Sequence, residues 1–218
     1  MSAVSISGRL IDLRIIPVLR FASRATAESA IDCLIEAGFE TVEITLTTPD
    51  AIALITDLRK RLPSSFLVGA GTVLDLQSAQ ASLEAGTDYL VSPCLVPGMA
   101  ALAHAAQRAC LTGGYTPAEI LTAQRDGADI VKVFPAASGG PSHLAALHAV
   151  FPDIPLCPTG GVSAANMADY FKAGAAVVGV GNNIIDAKLL AAGDTTKVIS
   201  HAQSLLHLAQ SKKRNDDG

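Results

Sequence analysis

The apolar positions of this chain alternate between two rhythms. Short runs of mostly aliphatic residues are followed by longer stretches in which apolar side chains recur every three or four positions. The short runs predict strands near Ile15–Leu19, Thr41–Leu46, Phe66–Ala70, Tyr89–Ser92, Leu111–Gly114, Ile130–Phe134, Pro155–Thr159 and Ala176–Gly181. Between them, Ala27, Ala30, Ile31, Leu34 and Ile35, or Ile52, Leu54, Ile55 and Leu58, mark the apolar stripes of amphipathic helices. The strings EAGFETVEI, EAGTDYLVS, RDGADIVKV and KAGAAVVGV repeat one unit: a helix end, a glycine and a strand. In each, Gly38, Gly86, Gly127 or Gly174 stands where a helix C-terminus turns left-handed. Thr48-Pro49 and Thr116-Pro117-Ala118-Glu119 read as helix starts, with Thr at the cap and Pro at the first helical position. The second also carries a capping-box Glu.

Eight strands alternating with helices satisfy both a doubly wound open sheet and a barrel. Count and regularity favour the barrel: an α/β fold, a single (βα)8 TIM barrel spanning residues 1–218 as one domain. A short N-terminal segment of about residues 1–12 precedes it, and the polar tail Ser211–Gly218 is expected to fray. No GxGxxG follows the first strand, which removes the usual dinucleotide fingerprint.

Composition narrows the function. Half of the residues are hydrophobic but only 4% are aromatic and none is Trp, so the core is built from Ala, Val, Ile and Leu, as suits a helix-covered parallel sheet. A net charge of −4 with scattered Lys and Arg offers no basic stripe to nucleic acid and no polybasic patch to a membrane. Arg9, Asp12 and Arg14 interrupt the N-terminus before any signal-like apolar run, which points to the cytoplasm. Cys33, Cys94, Cys110 and Cys157 form no CxxC pair and are expected to be reduced and mostly buried. His104, His143, His148, His201 and His207 fall in helices or their flanks and are expected to be solvated. No His or carboxylate set at the strand ends suggests a metal.

Strands covered on both faces should be nearly free of charge, so an ionisable residue inside one asks for a reason. Lys132 lies in phase with Ile130 and Phe134, and Glu43 in phase with Thr41 and Thr45; both are placed to point into the barrel. An amine in a poorly solvated barrel mouth has its neutral form favoured, and that form attacks a ketone to give an imine. A nearby carboxylate would shuttle protons. The competing reading is a buried ion pair with no chemistry. Val68-Gly-Ala-Gly-Thr-Val73 brings two glycines and the hydroxyl of Thr72 to the C-terminal end of the third strand, where such barrels keep their sites. Thr159-Gly160-Gly161 ends the seventh strand and Gly179-Val-Gly-Asn182 the eighth, the pair of loops that often binds phosphate through backbone N–H groups. Tight turns without a ligand would read the same way.

Taken in order, Glu43-Ile-Thr-Leu, Val68-Gly-Ala-Gly-Thr-Val73, Val91-Ser-Pro93, Val131-Lys-Val-Phe-Pro135 and Pro158-Thr-Gly-Gly161 resemble the KDPG aldolase family, over roughly residues 10–200. Members of that family, the KHG and KDPGal aldolases included, cleave 2-keto-4-hydroxy acids to pyruvate and an aldehyde through a lysine Schiff base, usually as trimers. The resemblance implies cleavage of 2-dehydro-3-deoxy-6-phosphogluconate (KDPG) to pyruvate and glyceraldehyde 3-phosphate, with no metal or organic cofactor. It assigns the imine to Lys132, proton transfer to Glu43, the substrate carboxylate to Thr72, and phosphate to Gly160, Gly161, Gly181 and Asn182, the last a position where many members have Ser. Thr159 and Phe134 fall within the same motifs.

Two departures bear on the substrate. The best-known KDPG aldolases carry an arginine at the position of Thr47, whereas this chain has Arg20 at the end of the first strand, as KDPGal-type members do. The cation is therefore expected to have moved from the second strand to the first. Tyr115, in Leu111-Thr-Gly-Gly-Tyr-Thr-Pro117, stands where the family more often has small residues. The same chemistry on 2-dehydro-3-deoxy-6-phosphogalactonate (KDPGal) or 4-hydroxy-2-oxoglutarate is the near alternative. A phosphosugar isomerase or epimerase with Glu43 as base, and a non-catalytic sugar-phosphate-binding protein, are the remote ones.

Overall fold

The computed structural model describes residues 2–181 and 183–211. Its strands are β1 Ile15–Leu19, β2 Thr41–Thr45, β3 Leu67–Gly71, β4 Tyr89–Val91, β5 Ala109–Gly114, β6 Ile130–Val133, β7 Leu156–Pro158 and β8 Val178–Val180. All pair in parallel, in the order β7-β6-β5-β4-β3-β2-β1-β8. Parallel bridges Leu156 to Ala175 and Thr159 to Gly179 join the two ends of the sheet, so it closes into a (βα)8 barrel.

The helices are α1 Ala3–Leu13, α2 Arg24–Glu36, α3 Ala51–Arg61, α4 Leu76–Glu84, α5 Met99–Ala105, α6 Pro117–Arg125, α7 Gly140–Val150, α8 Met167–Lys172, α9 Ala187–Ala191 and α10 Thr195–Gln210. The apolar stripes predicted for α2 and α3 are the faces that meet the sheet: Ala27, Ala30, Ile31 and Leu34 are buried, as are Leu54, Ile55 and Leu58. The four repeated joints are left-handed at Gly38, Gly86, Gly127 and Gly174, with φ between 92° and 103°. Thr116 and Glu119 form the expected capping box of α6.

The start of α3 differs from expectation. The helix begins at Ala51, after Asp50 in a left-handed conformation, and Thr48 is buried outside it. The Thr48 hydroxyl accepts from the Phe21 N–H at 3.3 Å, tying the β2 loop to the β1 loop, which outweighs its use as a cap. The N-terminal segment also holds more structure than its sequence suggested. Ser2 caps α1, and Ile6 and Leu10, one turn apart, are fully buried against Ile16, Leu67, Tyr89, Leu111 and Ile130. Those five are inward-facing barrel residues at the N-terminal ends of the strands, so α1 closes the barrel from below.

Cys33, Cys110 and Cys157 are buried free thiols, while Cys94 is exposed. His104, His201 and His207 are exposed, but His143 and His148 are half-buried on α7 because that helix lies against its neighbours there. Among the described residues no helix is long and apolar enough to cross a membrane. Residues 212–218, the bulk of the polar tail, lie outside the described residues, as does Asn182.

Candidate active site

Inside the barrel the lower layer is filled by Ile16, Leu67, Tyr89, Leu111, Ile130 and Cys157. One step further up, two large side chains project from opposite walls: Glu43 from β2 and Lys132 from β6. Both have small residues beside them in register, although Gly69 clears the Tyr89 ring and Gly113 the Pro93 backbone rather than the pair itself. Glu43 lies beside Gly69 on β3, and Lys132 lies between Gly113 on β5 and Cys157 on β7. A methyl group at Gly71 would occupy the space that the Glu43 carboxylate fills, so glycine there is a condition for the carboxylate's position. Gly179 gives the same clearance to the Thr159 side chain.

The Lys132 Nζ stands 3.7 Å from Glu43 Oε1, and both side chains are almost wholly buried, at 6% and 3% exposed. Glu43 Oε1 has no hydrogen-bond partner among the described residues. Burial pushes the Glu43 carboxyl above its ordinary pKa, against the opposing pull of the Lys132 ammonium and the Arg20 guanidinium. Below the pair, the Thr41 and Tyr89 hydroxyls are bonded to each other at 2.9 Å, which leaves the Glu43 carboxyl facing upward. The Lys132 Nζ is also 5.7 Å from the centre of the Phe134 ring.

Above the pair is a cavity of about 460 Å³, lined by Arg20, Glu43, Thr72, Lys132, Phe134, Thr159, Gly160, Gly161, Gly181 and Asn183, among others. The fold thus gathers nine of the residues singled out in the sequence at one opening. Arg20 Nη2 donates to Thr72 Oγ1 at 3.4 Å, and Thr72 holds a left-handed φ of 59°, a strained conformation typical of functional sites. Thr47 and Tyr115 do not line this cavity. Thr47 is exposed with its hydroxyl 3.0 Å from that of Thr45, and Tyr115 stacks on His143 at 4.4 Å.

The wall after β7 has a definite polarity. The carbonyls of Thr159 and Gly160 accept from the N–H groups of Ala136 and Ala137 at 2.8 and 2.9 Å, and the Gly161 carbonyl accepts from Asn166 Nδ2 at 2.9 Å. A trans peptide points its N–H opposite to its carbonyl. With the Gly160 and Gly161 carbonyls turned toward these donors, the N–H groups of Gly161 and Val162 face away from them, with no backbone partner among the described residues, while the Gly160 N–H is turned to Gly179 across the bridge that closes the sheet. Such a row of backbone donors on left-handed glycines, here with φ of 89° and 85°, is an anion-binding nest. The glycine pair was visible in the sequence. Asn166, Asn183 and the two alanine donors were not, because only the folded loops bring them together. Among the described residues, no three His, Cys, Asp or Glu side chains converge as metal ligands would. A larger hollow of about 640 Å³ lies outside the barrel, between the β7 and β8 loops and α10. It shares only Asn183 with the cavity above Lys132 and holds neither member of the buried pair.

Comparison with known proteins agrees with this geometry. The chain is 38% identical over 160 residues to the 2-dehydro-3-deoxy-phosphogluconate aldolase of Pseudomonas aeruginosa, covering 73% of this chain and 72% of that one. It is 37% identical over 171 residues to a probable 2-dehydro-3-deoxy-6-phosphogalactonate aldolase of Rhizobium meliloti, covering 78% and 81%. Among solved structures, the KDPG aldolase of Legionella pneumophila, with pyruvate captured as a covalent carbinolamine intermediate, superposes with a TM-score of 0.83. The two are 26% identical, over 91% of this chain and 97% of that one. Residues 6–201 match the family model for KDPG and KHG aldolases, and the chain belongs to that aldolase family.

Proposed function

We propose that Lys132 forms the Schiff base and that the protein cleaves a phosphorylated 2-keto-4-hydroxy acid to pyruvate and an aldehyde. The observation that carries this reading is the buried amine–carboxyl pair, 3.7 Å apart, beneath a cavity with a cation on one wall and a backbone nest on another. The Lys132 amine adds to the C2 ketone, and loss of water from the carbinolamine gives the iminium. Glu43 then takes the proton of the C4 hydroxyl. The C3–C4 bond breaks, its electrons pass into the iminium, and the aldehyde leaves behind an enamine. Protonation at C3 by the Glu43 carboxylic acid and hydrolysis of the imine release pyruvate and restore both groups. Lysine supplies the electron sink, so this route calls for no metal or organic cofactor. The carbinolamine captured in the Legionella relative is the same kind of intermediate.

Arg20 and Thr72 are assigned to the substrate carboxylate, which fixes the cleaving bond against the iminium π-system. The nest formed by the Gly161 and Val162 N–H groups, with Thr159, Gly160 and Gly181 beside it, is assigned to the distal phosphate. Phe134 covers the imine nitrogen from one side. KDPG is the first candidate substrate. KDPGal is the second, favoured by one observation: Arg20 just after β1 lines the cavity whereas Thr47 after β2 does not. A coupled pyruvate-release assay across KDPG, KDPGal and 4-hydroxy-2-oxoglutarate ranks the three. Release from none of them would refute the reading, and isomerisation without a borohydride-reducible imine would favour an isomerase. A homotrimer is proposed from the family resemblance, and exposed Leu74 and Leu76 after β3 are available to a subunit contact. A cytoplasmic location fits the three buried, unpaired thiols.

A further inference from the structure

The nest after β7 is only as good an anion site as the orientation of its peptides, and two consecutive glycines do not fix orientation by themselves. One of the two carbonyls behind it, on Gly160, is held by the backbone of the short 3-10 turn Ala136–Ser138, which follows the lysine strand. The other, on Gly161, is held only by a side chain. Asn166 spans the loop: its Nδ2 donates to the Gly161 carbonyl at 2.9 Å while its Oδ1 accepts from the Ser163 N–H at 2.8 Å. A second strut reaches the next carbonyl, since Asn183 Nδ2 donates to Val162 O at 3.0 Å. Asn183 is itself held from outside, its own carbonyl 2.9 Å from His201 Nε2 on α10. A carbonyl only accepts, so that ring nitrogen carries the proton.

We infer that Asn166 is a positioning residue: by holding the Gly161 carbonyl outward it aims the Val162 N–H into the cavity, and the Asn183–His201 strut braces the same loop against the β8 side. The inference rests on the reading of the nest as the phosphate subsite and adds to it which side chains set the aim. Neither Asn166 nor His201 lines the cavity, so their effect reaches the substrate through the loop.

Asn166→Asp is the informative variant, because it keeps the acceptor for Ser163 N–H and replaces the donor to Gly161 with a charge that repels the carbonyl. Three readouts separate the possibilities: KM for the phosphorylated keto acid, inhibition by inorganic phosphate, and proton exchange at the pyruvate methyl group, which needs Lys132 and Glu43 but no distal anion. Loss of one donor to a dianion should raise both KM and the phosphate inhibition constant by about tenfold or more. Pyruvate exchange should be unchanged. His201→Ala should shift KM the same way by a few-fold, as expected for about one neutral hydrogen bond. A crystal structure of Asn166→Asp should show the Gly161–Val162 peptide turned with its oxygen toward the cavity. An unturned peptide with an unaltered phosphate constant would overturn the positioning role, and an equal loss of pyruvate exchange would show a general packing defect instead. If the wild type neither prefers a phosphorylated substrate nor is inhibited by phosphate, the phosphate reading falls, and the turned or unturned peptide still decides the role of Asn166.

Discussion

Lys132 Nζ and Glu43 Oε1 lie 3.7 Å apart on opposite walls of a barrel, in an interior otherwise lined largely by apolar residues and glycine. Taking two such groups out of water costs several kcal/mol per ion, and a bare ion pair seldom recovers it. The arrangement is therefore costly as structure and well suited to moving one proton between an amine, a carboxyl and a substrate. Incubation with pyruvate and borohydride should leave a reduced pyruvyl group on Lys132, located by peptide mass mapping. Lys132→Ala should lose both the adduct and nearly all turnover; an adduct on another lysine would refute the assignment.

Glu43 should set the acid limb of the pH profile. Its carboxylate form takes the C4 proton, and that form is depleted as pH falls through the carboxyl's pKa. Burial raises that value above 4.5, so the fall in kcat/KM should occur at a higher pH than an ordinary glutamate would give. Glu43→Gln should remove this limb and slow cleavage on the order of 10²–10⁴-fold while some imine still forms.

Gly71→Ala tests the geometry without touching an ionisable group. The added methyl meets the Glu43 carboxylate, which must move away from Lys132. Turnover should fall toward that of Glu43→Gln, at a stability cost of about 1–3 kcal/mol in thermal unfolding. Full activity in this variant would mean that the carboxylate has more freedom than its packing implies.

Arg20→Ala should weaken pyruvate as well as the full substrate, since both carry the carboxylate, by roughly 1.5–3 kcal/mol for a charged hydrogen bond. Thr47 is exposed one loop away, and adding Thr47→Arg should restore part of the loss. Pyruvate inhibition constants for the wild type, the single and the double variant decide the point. An unchanged constant in Arg20→Ala would leave the guanidinium with no role at the carboxylate.

The thiols should separate cleanly. Burial pushes Cys157 up to about 11 and Cys110 up to about 12, and Cys33 is buried as well. At pH 8 only about one Cys157 in a thousand would be ionised even if reagent reached it. A chromogenic disulfide should therefore titrate Cys94 alone in the native protein and all four thiols after unfolding.

The strands were legible because a parallel sheet covered on both faces needs apolar runs, and Lys132 and Glu43 stood out as charges within them. The repeated glycines marked the αβ joints through their left-handed geometry. Helix α1 was not legible. Its buried stripe is only Ile6 and Leu10, set among serines and a glycine, and its partners come from five different strands. Asp50 in place of Thr48 at the start of α3 follows from a contact to the β1 loop that no local pattern encodes. The direction of the nest was hidden for the same reason: Asn166 and Asn183 act on carbonyls whose orientation exists only in the folded loops.

Helix α1 gives the barrel one doorway. Ile6 and Leu10 stop the lower end, and the layer above them is packed with side chains, so substrate, water and both products share the upper opening. In the proposed cleavage the aldehyde fragment lies nearer that opening, and pyruvate stays tethered to Lys132 below it. The water that frees pyruvate must approach from the same side, past the space the aldehyde occupies. In that mechanism the covalent bond to Lys132 makes the aldehyde leave first and pyruvate last, and the floor of the barrel sends both out through the same opening.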